Sequence, residues 1–243
     1  MEVHTKFDIT HAFIATRDDI SKLWDIFKNY GFKVTATLSC SDGLVRHFDN
    51  CESLVQYDNP ARAAITSLEI SARSPDPYTT AEVSLGARYS APISISLRGE
   101  ENVVLSMRTY VSDAVDGMRA WYFGISRIDF FYFRLTILIA IMLLIILIAS
   151  FPLFQIMSPA NTPQPATTNN KALELLAICM AIIGITAAAI WAISWLQKRF
   201  FPVSTFAIGQ GLSRHKHNEQ VRWVVIVGFA VGVVASLAAT MLG

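Results

Sequence analysis

Apolar positions change rhythm along this chain: up to about residue 130 they recur at strand or helix spacing between polar neighbours, and beyond it they merge into long uncharged blocks. In the first part, Asp8 to Ala15 reads as a strand. Thr16 with Asp19 forms a capping-box pattern, Ile20, Leu23, Trp24 and Phe27 follow at helical spacing, and Gly31 supplies a stop. Lys33 to Ser39 alternates Val34, Ala36 and Leu38 with Thr35 and Thr37; the turn Ser41-Asp42-Gly43 then leads into a second strand at 44–48. A short helix at 52–57 ends at Asn59-Pro60. Three strand-like runs follow, at 64–73, 81–89 and 93–97. Asn102 is a candidate N-cap for a helix whose face is traced by Val103, Val104, Met107, Val111, Ala114, Val115 and Met118. The order β-α-β-β-α-β-β-β-α predicts an α+β domain over 1–119 with a mainly antiparallel sheet and two or three helices.

The second part predicts an α-helical membrane region of three spans. An aromatic connector, 120–134, leads into an uncharged stretch at 135–157; an external loop at 158–172 separates it from 173–196; a basic segment at 197–222 precedes 223–242. Each of the three blocks is long enough to cross the ~30 Å hydrocarbon core. Lys198, Arg199, Arg214, Lys216 and Arg222 crowd the second connection, whereas the first holds only Lys171. By the positive-inside rule the N-terminal domain faces the cytoplasm and the C-terminus the exterior. The basic segment, with the Pro-broken run FFPVSTFAI, is expected to lie along the inner leaflet against anionic head groups. Gly184, Ala188 and Ala192, and likewise Gly228, Gly232 and Ser236, place a small residue at every fourth position, the pattern by which membrane helices pack closely.

Composition supports this division. Charged residues make up 16% of the chain, against roughly 25% in soluble globular proteins. Residues 1–134 hold 14 Lys and Arg against 17 Asp and Glu, which excludes a basic nucleic-acid-binding domain; the remainder holds 6 against 2. The N-terminal stretch lacks the basic and apolar regions of a cleavable secretory signal, so the domain is expected to stay in the cytosol. Cys40, Cys51 and Cys179 are scattered without CxxC spacing, which points to neither a disulfide framework nor a metal site. His215 and His217 read as solvated.

Candidate chemistry is sparse. Phosphate-binding loops of the GxGxxG and GxxxxGK[ST] types are absent, as are HExxH and GxSxG; no cofactor is implied. The densest polar cluster, SCSDGLVRHFDNCES, holds Cys40, Asp42, Arg46, His47, Asp49, Cys51 and Glu52. It reads as a hairpin turn and helix cap, and as a hydrolytic site only if the fold joins His47 to a cysteine. A second cluster, Tyr57, Asp58, Asn59 and Arg62 with Arg73, Arg88 and Arg98 on later strands, reads as arginines solvated on a sheet face or, if gathered, as a pocket for a small anionic ligand such as a nucleotide.

The segment FPVSTFAIGQGLSR, the SDG turn, the YDNP segment and the MRAWY stretch resemble a pattern found in bacterial inner-membrane proteins that pair an N-terminal soluble domain with an FPxxxFxIGxG juxtamembrane segment. That resemblance implies an inner-membrane location and carries no activity. The functional expectation is a membrane-anchored sensor or effector, not an enzyme: a recognition domain coupled to an oligomerising bundle that alters membrane permeability in bacterial defence or stress. The alternatives are a scaffold or accessory subunit and a membrane-tethered enzyme. Expected partners are the bilayer, further copies of the chain or another protein.

Overall fold

The computed structural model describes residues 1–76, 78–86, 91–126, 136, 139 and 167–242. They fall into two compact units, residues 1–127 with 200–243, and residues 128–199.

The first unit is built on a six-stranded antiparallel sheet. Its strands are β1 (Glu2–Ile9), β3 (Lys33–Cys40), β4 (Val45–Phe48), β5 (Ile65–Arg73), β6 (Thr80–Leu85) and β7 (Ile93–Glu100), in the order β1-β7-β6-β5-β3-β4. Period-two alternation separates the two faces. Val34, Ala36, Leu38, Leu68, Ile70, Ala72, Val83, Leu85, Ile93, Ile95 and Leu97 are buried on one; Thr35, Thr37, Glu69, Ser71, Glu82, Ser84, Ser94 and Ser96 lie on the other.

Helix α1 (Arg17–Asn29) covers the apolar face with Ile20, Leu23, Trp24 and Phe27, and α3 (Glu101–Gly117) with Val104, Met107, Val111 and Val115. The Thr16–Asp19 capping box forms: the Asp19 amide donates to Thr16 Oγ1 at 3.3 Å and the Thr16 amide to Asp19 Oδ2 at 3.1 Å. Helix α2 (Cys51–Val55) is a single turn capped by Asn50.

Three expectations change. Asp8 to Ala15 is not one strand: the chain bends at Thr10 and His11, ending β1 and starting β2 (Phe13–Thr16). The α3 cap position is taken by Glu100 rather than Asn102, because β7 runs on to Glu100 and the helix begins directly after it. The FFPVSTFAI run is not an interfacial segment. Its residues Ser204–Ala207 form β8, which pairs in parallel with β2, and Phe206, Ala207 and Ile208 are buried. Strand pairing meets the backbone hydrogen bonds that an extended segment in the interface would have to find in water.

Helix α4 (Phe123–Ser126) is one turn. Two long helices complete the described chain, α5 (Thr167–Phe200) and α6 (Gln210–Leu242). Among the described residues one helix, Gln210–Thr240, is long and apolar enough to cross a membrane, with mean hydropathy 2.2 and none of its apolar window buried. Among the described residues the structure thus supports an α+β domain with one C-terminal apolar helix, and not the full set of three spans. Residues 173–196 form part of α5, and the predicted first span, 135–157, lies outside the described residues except for Thr136 and Ile139.

Candidate functional site

The YDNP, MRAWY and FPVSTFAIGQG segments, far apart in sequence, meet in one clasp between the sheet domain and the start of α6. Asn59 is its centre: 2% exposed, with φ +46, a left-handed conformation that asparagine tolerates better than most residues. Its Nδ2 donates to the Phe206 carbonyl at 3.0 Å, and its Oδ1 accepts from the Ile65 amide at 2.9 Å. Its own carbonyl accepts from Arg214 Nη2 at 2.9 Å. One residue earlier, the Asp58 carbonyl and carboxylate take the Gln210 main-chain amide at 2.7 Å and its Nε2 at 2.6 Å.

The glycines explain how the backbones come so close. At Gly209, φ +51, a Cβ would lie 2.3 Å from the Asp58 carbonyl oxygen; at Gly211 it would lie 2.3 Å from the Phe206 carbonyl oxygen and 2.4 Å from Asn59 Nδ2. Only glycine fits at such main-chain contacts.

The other half of the clasp is aromatic. Phe13 and Phe206 meet edge to face at 5.6 Å inside the core. The Ile14 amide donates to Met118 and the Ala120 amide to Ala12, which ties β2 to the chain leaving α3. Tyr122, 1% exposed, packs its ring edge-on to Phe201 at 5.7 Å, and Trp121 stacks on Trp223 at 5.6 Å with 21° between the planes. Arg222 lies 4.3 Å from the Tyr122 ring centroid and donates through Nε to the Phe200 carbonyl. On the opposite flank His11 sits between the Ala12 carbonyl and Asp116, at 3.2 and 3.3 Å.

The structure scatters the candidate arginines. Arg73 and Arg98 both pair in register with Thr80, so a whole strand separates them, about 10 Å between their backbones. Arg98 is neutralised by Glu2 at 2.7 Å. Arg62 lies in the turn 61–63, beyond the far end of β5 from Arg73, and Arg88 lies outside the described residues. Arg62, Arg73 and Arg98 therefore line no common pocket.

The Cys–His pair does not form either. His47 bonds Thr37 on the polar face of the sheet at 3.1 Å, while Cys51 packs against the core and reaches Ser21 Oγ at 3.7 Å. Burial pushes the Cys51 thiol up, partly offset by that hydroxyl. Arg46 grips Asp42 at 2.7 and 3.3 Å, and with the Leu44 amide it holds the Asp42 carboxyl below the usual carboxylate range; the same bond raises Arg46. Burial and the Cys40 thiol raise Tyr57.

Of the five cations in the basic segment, Lys198, Arg199 and Lys216 are exposed, Arg214 is turned onto Asn59, and Arg222 is 2% exposed. Arg222 is enclosed, unlike Lys198, Arg199 and Lys216, because its guanidinium is held against the rings of Tyr122 and Phe201. The small-residue faces are open: Ala188, Ala192 and Ser236 are exposed, and a Cβ on Gly184, Gly228 or Gly232 would meet nothing within 4 Å.

Gln210, Tyr122 and Phe206 were not singled out by the sequence pattern as a site, and Asp58 and Asn59, grouped in the sequence with Arg62 as an anion pocket, bond instead to Gln210, Phe206 and Arg214. The signal available was local: an Asn-Pro pair in one place and a Gly-x-Gly in another. Comparison with protein-family models, with characterised proteins and with solved structures finds no match to this chain.

Proposed function

We propose that the chain is a membrane-anchored sensor or effector, in which the α+β domain recognises a ligand or protein in the cytoplasm and the clasp passes its state to an oligomerising helical bundle. The observation that carries this reading is that β8 and the first turns of α6 are built into the domain: Phe206 and Ile208 belong to its core, and Gln210 and Arg214 bond to Asp58 and Asn59. A helix joined by a flexible linker would decouple from the domain; one whose entry strand shares the domain's sheet pairing and core cannot shift without moving it.

In this proposal three spans cross the inner membrane, with the N-terminus cytoplasmic and the C-terminus external. The faces of Gly184, Ala188 and Ala192 and of Gly228, Gly232 and Ser236 meet their counterparts in neighbouring copies or each other. Assembly or rearrangement of the bundle then changes membrane permeability, a fitting output for bacterial defence or stress.

The test is the mass of the full chain in nanodiscs, by native mass spectrometry or light scattering, for wild type beside Gly232→Leu. The added side chain fills the open face and should dissolve a defined oligomer, with loss of membrane depolarisation in cells. A monomer in both samples would sink the proposal and favour a tether that holds the domain beside another membrane protein.

A further inference from the structure

Two buried side-chain nitrogens lack a hydrogen-bond partner among the described residues, Arg222 Nη1 and His215 Nδ1. Both belong to α6 and are seven residues apart, so they project from one face of the helix. His215 Nε2 faces Glu219 at 3.7 Å, whereas Arg222 is in no ion pair among the described residues. A guanidinium cannot shed its proton, and burying an unpaired ion is costly. The Phe200 carbonyl and the faces of Tyr122 and Phe201, at 4.3 and 5.8 Å, compensate in part, but they supply no full negative charge and leave Nη1 unmet.

We infer that Arg222 binds one phosphate-bearing anion, supplied by a lipid headgroup. The planar guanidinium fork matches phosphate oxygens in pairs, which suits it to this anion better than a lysine. Its position gives the source. Arg222 immediately precedes Trp223, where the apolar run of α6 begins, and the Trp121–Trp223 stack remains 46% and 53% exposed. Tryptophan rings settle at headgroup depth, where lipid phosphates are the abundant anions. Nη1 is closed to solvent, so a phosphate reaches it only when one of the rings beside it, Tyr122 or Phe201, moves; Tyr122 packs edge-on to Trp121 at 5.6 Å, so that movement is felt in the tryptophan stack. Binding should therefore change tryptophan emission. This inference rests on the reading that α6 crosses a membrane, which carbonate extraction of the wild-type chain checks separately.

The experiment is native mass spectrometry of the full chain in mild detergent doped with phosphatidylglycerol, with tryptophan emission recorded in parallel. Wild type and Lys216→Ala, which removes an exposed neighbouring cation, should each retain one phosphatidylglycerol with the same emission change. Arg222→Gln should lose both signals by tenfold or more. Arg222→Lys keeps the charge without the fork and should weaken retention at least threefold, which covers the case in which Arg222→Gln does not fold. A parallel titration with inorganic phosphate in undoped detergent distinguishes the sources: an equal emission change there assigns the same Arg222 site to free phosphate and overturns the lipid source. Undiminished retention in Arg222→Gln or Arg222→Lys, or an equal loss in Lys216→Ala, overturns the site.

Discussion

Replacing Asn59 by alanine tests whether the clasp holds β8 in the domain. The substitution strands two buried groups, the Phe206 carbonyl and the Ile65 amide, which Asn59 now serves at 3.0 and 2.9 Å. Leaving a buried polar group unmet costs about 1–3 kcal/mol each. Alanine must also adopt φ +46, at about 1 kcal/mol. The sum is about 4 kcal/mol, which a hydrogen-exchange measurement reads as roughly a thousandfold loss of protection for the amides of 204–207. The Arg214 bond goes to the main-chain carbonyl of residue 59 and survives in principle, so the loss is specific to the amide side chain. Asn59→Gly removes the same two bonds without the φ penalty and should be about 1 kcal/mol milder. Asn59→Asp keeps an acceptor for Ile65 but turns an oxygen toward the Phe206 carbonyl; it should be at least as damaging as alanine near neutral pH. If Asn59→Ala lies within about 0.5 kcal/mol of wild type, the reasoning fails, because that is the range of a surface change.

Two further outcomes follow from neighbouring geometry. Gly209→Ala should destabilise the chain by about 2 kcal/mol or more, since its Cβ meets the Asp58 main chain at 2.3 Å in a left-handed conformation. Gly117→Ala, at the end of α3 with nothing within 4 Å, should not destabilise the chain in a thermal melt, and equal effects at the two sites would refute the distinction. Cys51 should react with iodoacetamide several-fold more slowly in the folded than in the urea-unfolded chain at pH 8, because burial raises its thiol. A raised thiol favours the protonated form in the folded state, so its stabilising contribution is present at lower pH and lost as pH rises through the folded value. The rate gap should narrow toward pH 10, and peptide mapping that finds equal rates at pH 8 contradicts it.

The local elements were legible because each is specified by neighbours in sequence. The Thr16–Asp19 box, the apolar face of α1 and the alternation of Lys33 to Cys40 follow from helical and strand periods, and the Gly43 turn, at φ +79, joins β3 to β4 as its residue type suggests. The apolar character of α6 was equally plain, since it needs only length and composition. The clasp was not. FPVSTFAI carries an apolar run that suits a membrane surface as well as a core, and its strand partner, Phe13–Thr16, lies about 190 residues earlier. Nothing in either segment names the other. The arginines show the same limit in reverse: Arg73 and Arg98 look like one basic set in the sequence, and only strand order places β6 between them and Glu2 against Arg98. Periodicity reports which face of an element is apolar. Which distant segment covers that face, and whether a charge ends in solvent or beneath a ring as Arg222 does, is decided by packing among residues that only the folded chain brings together.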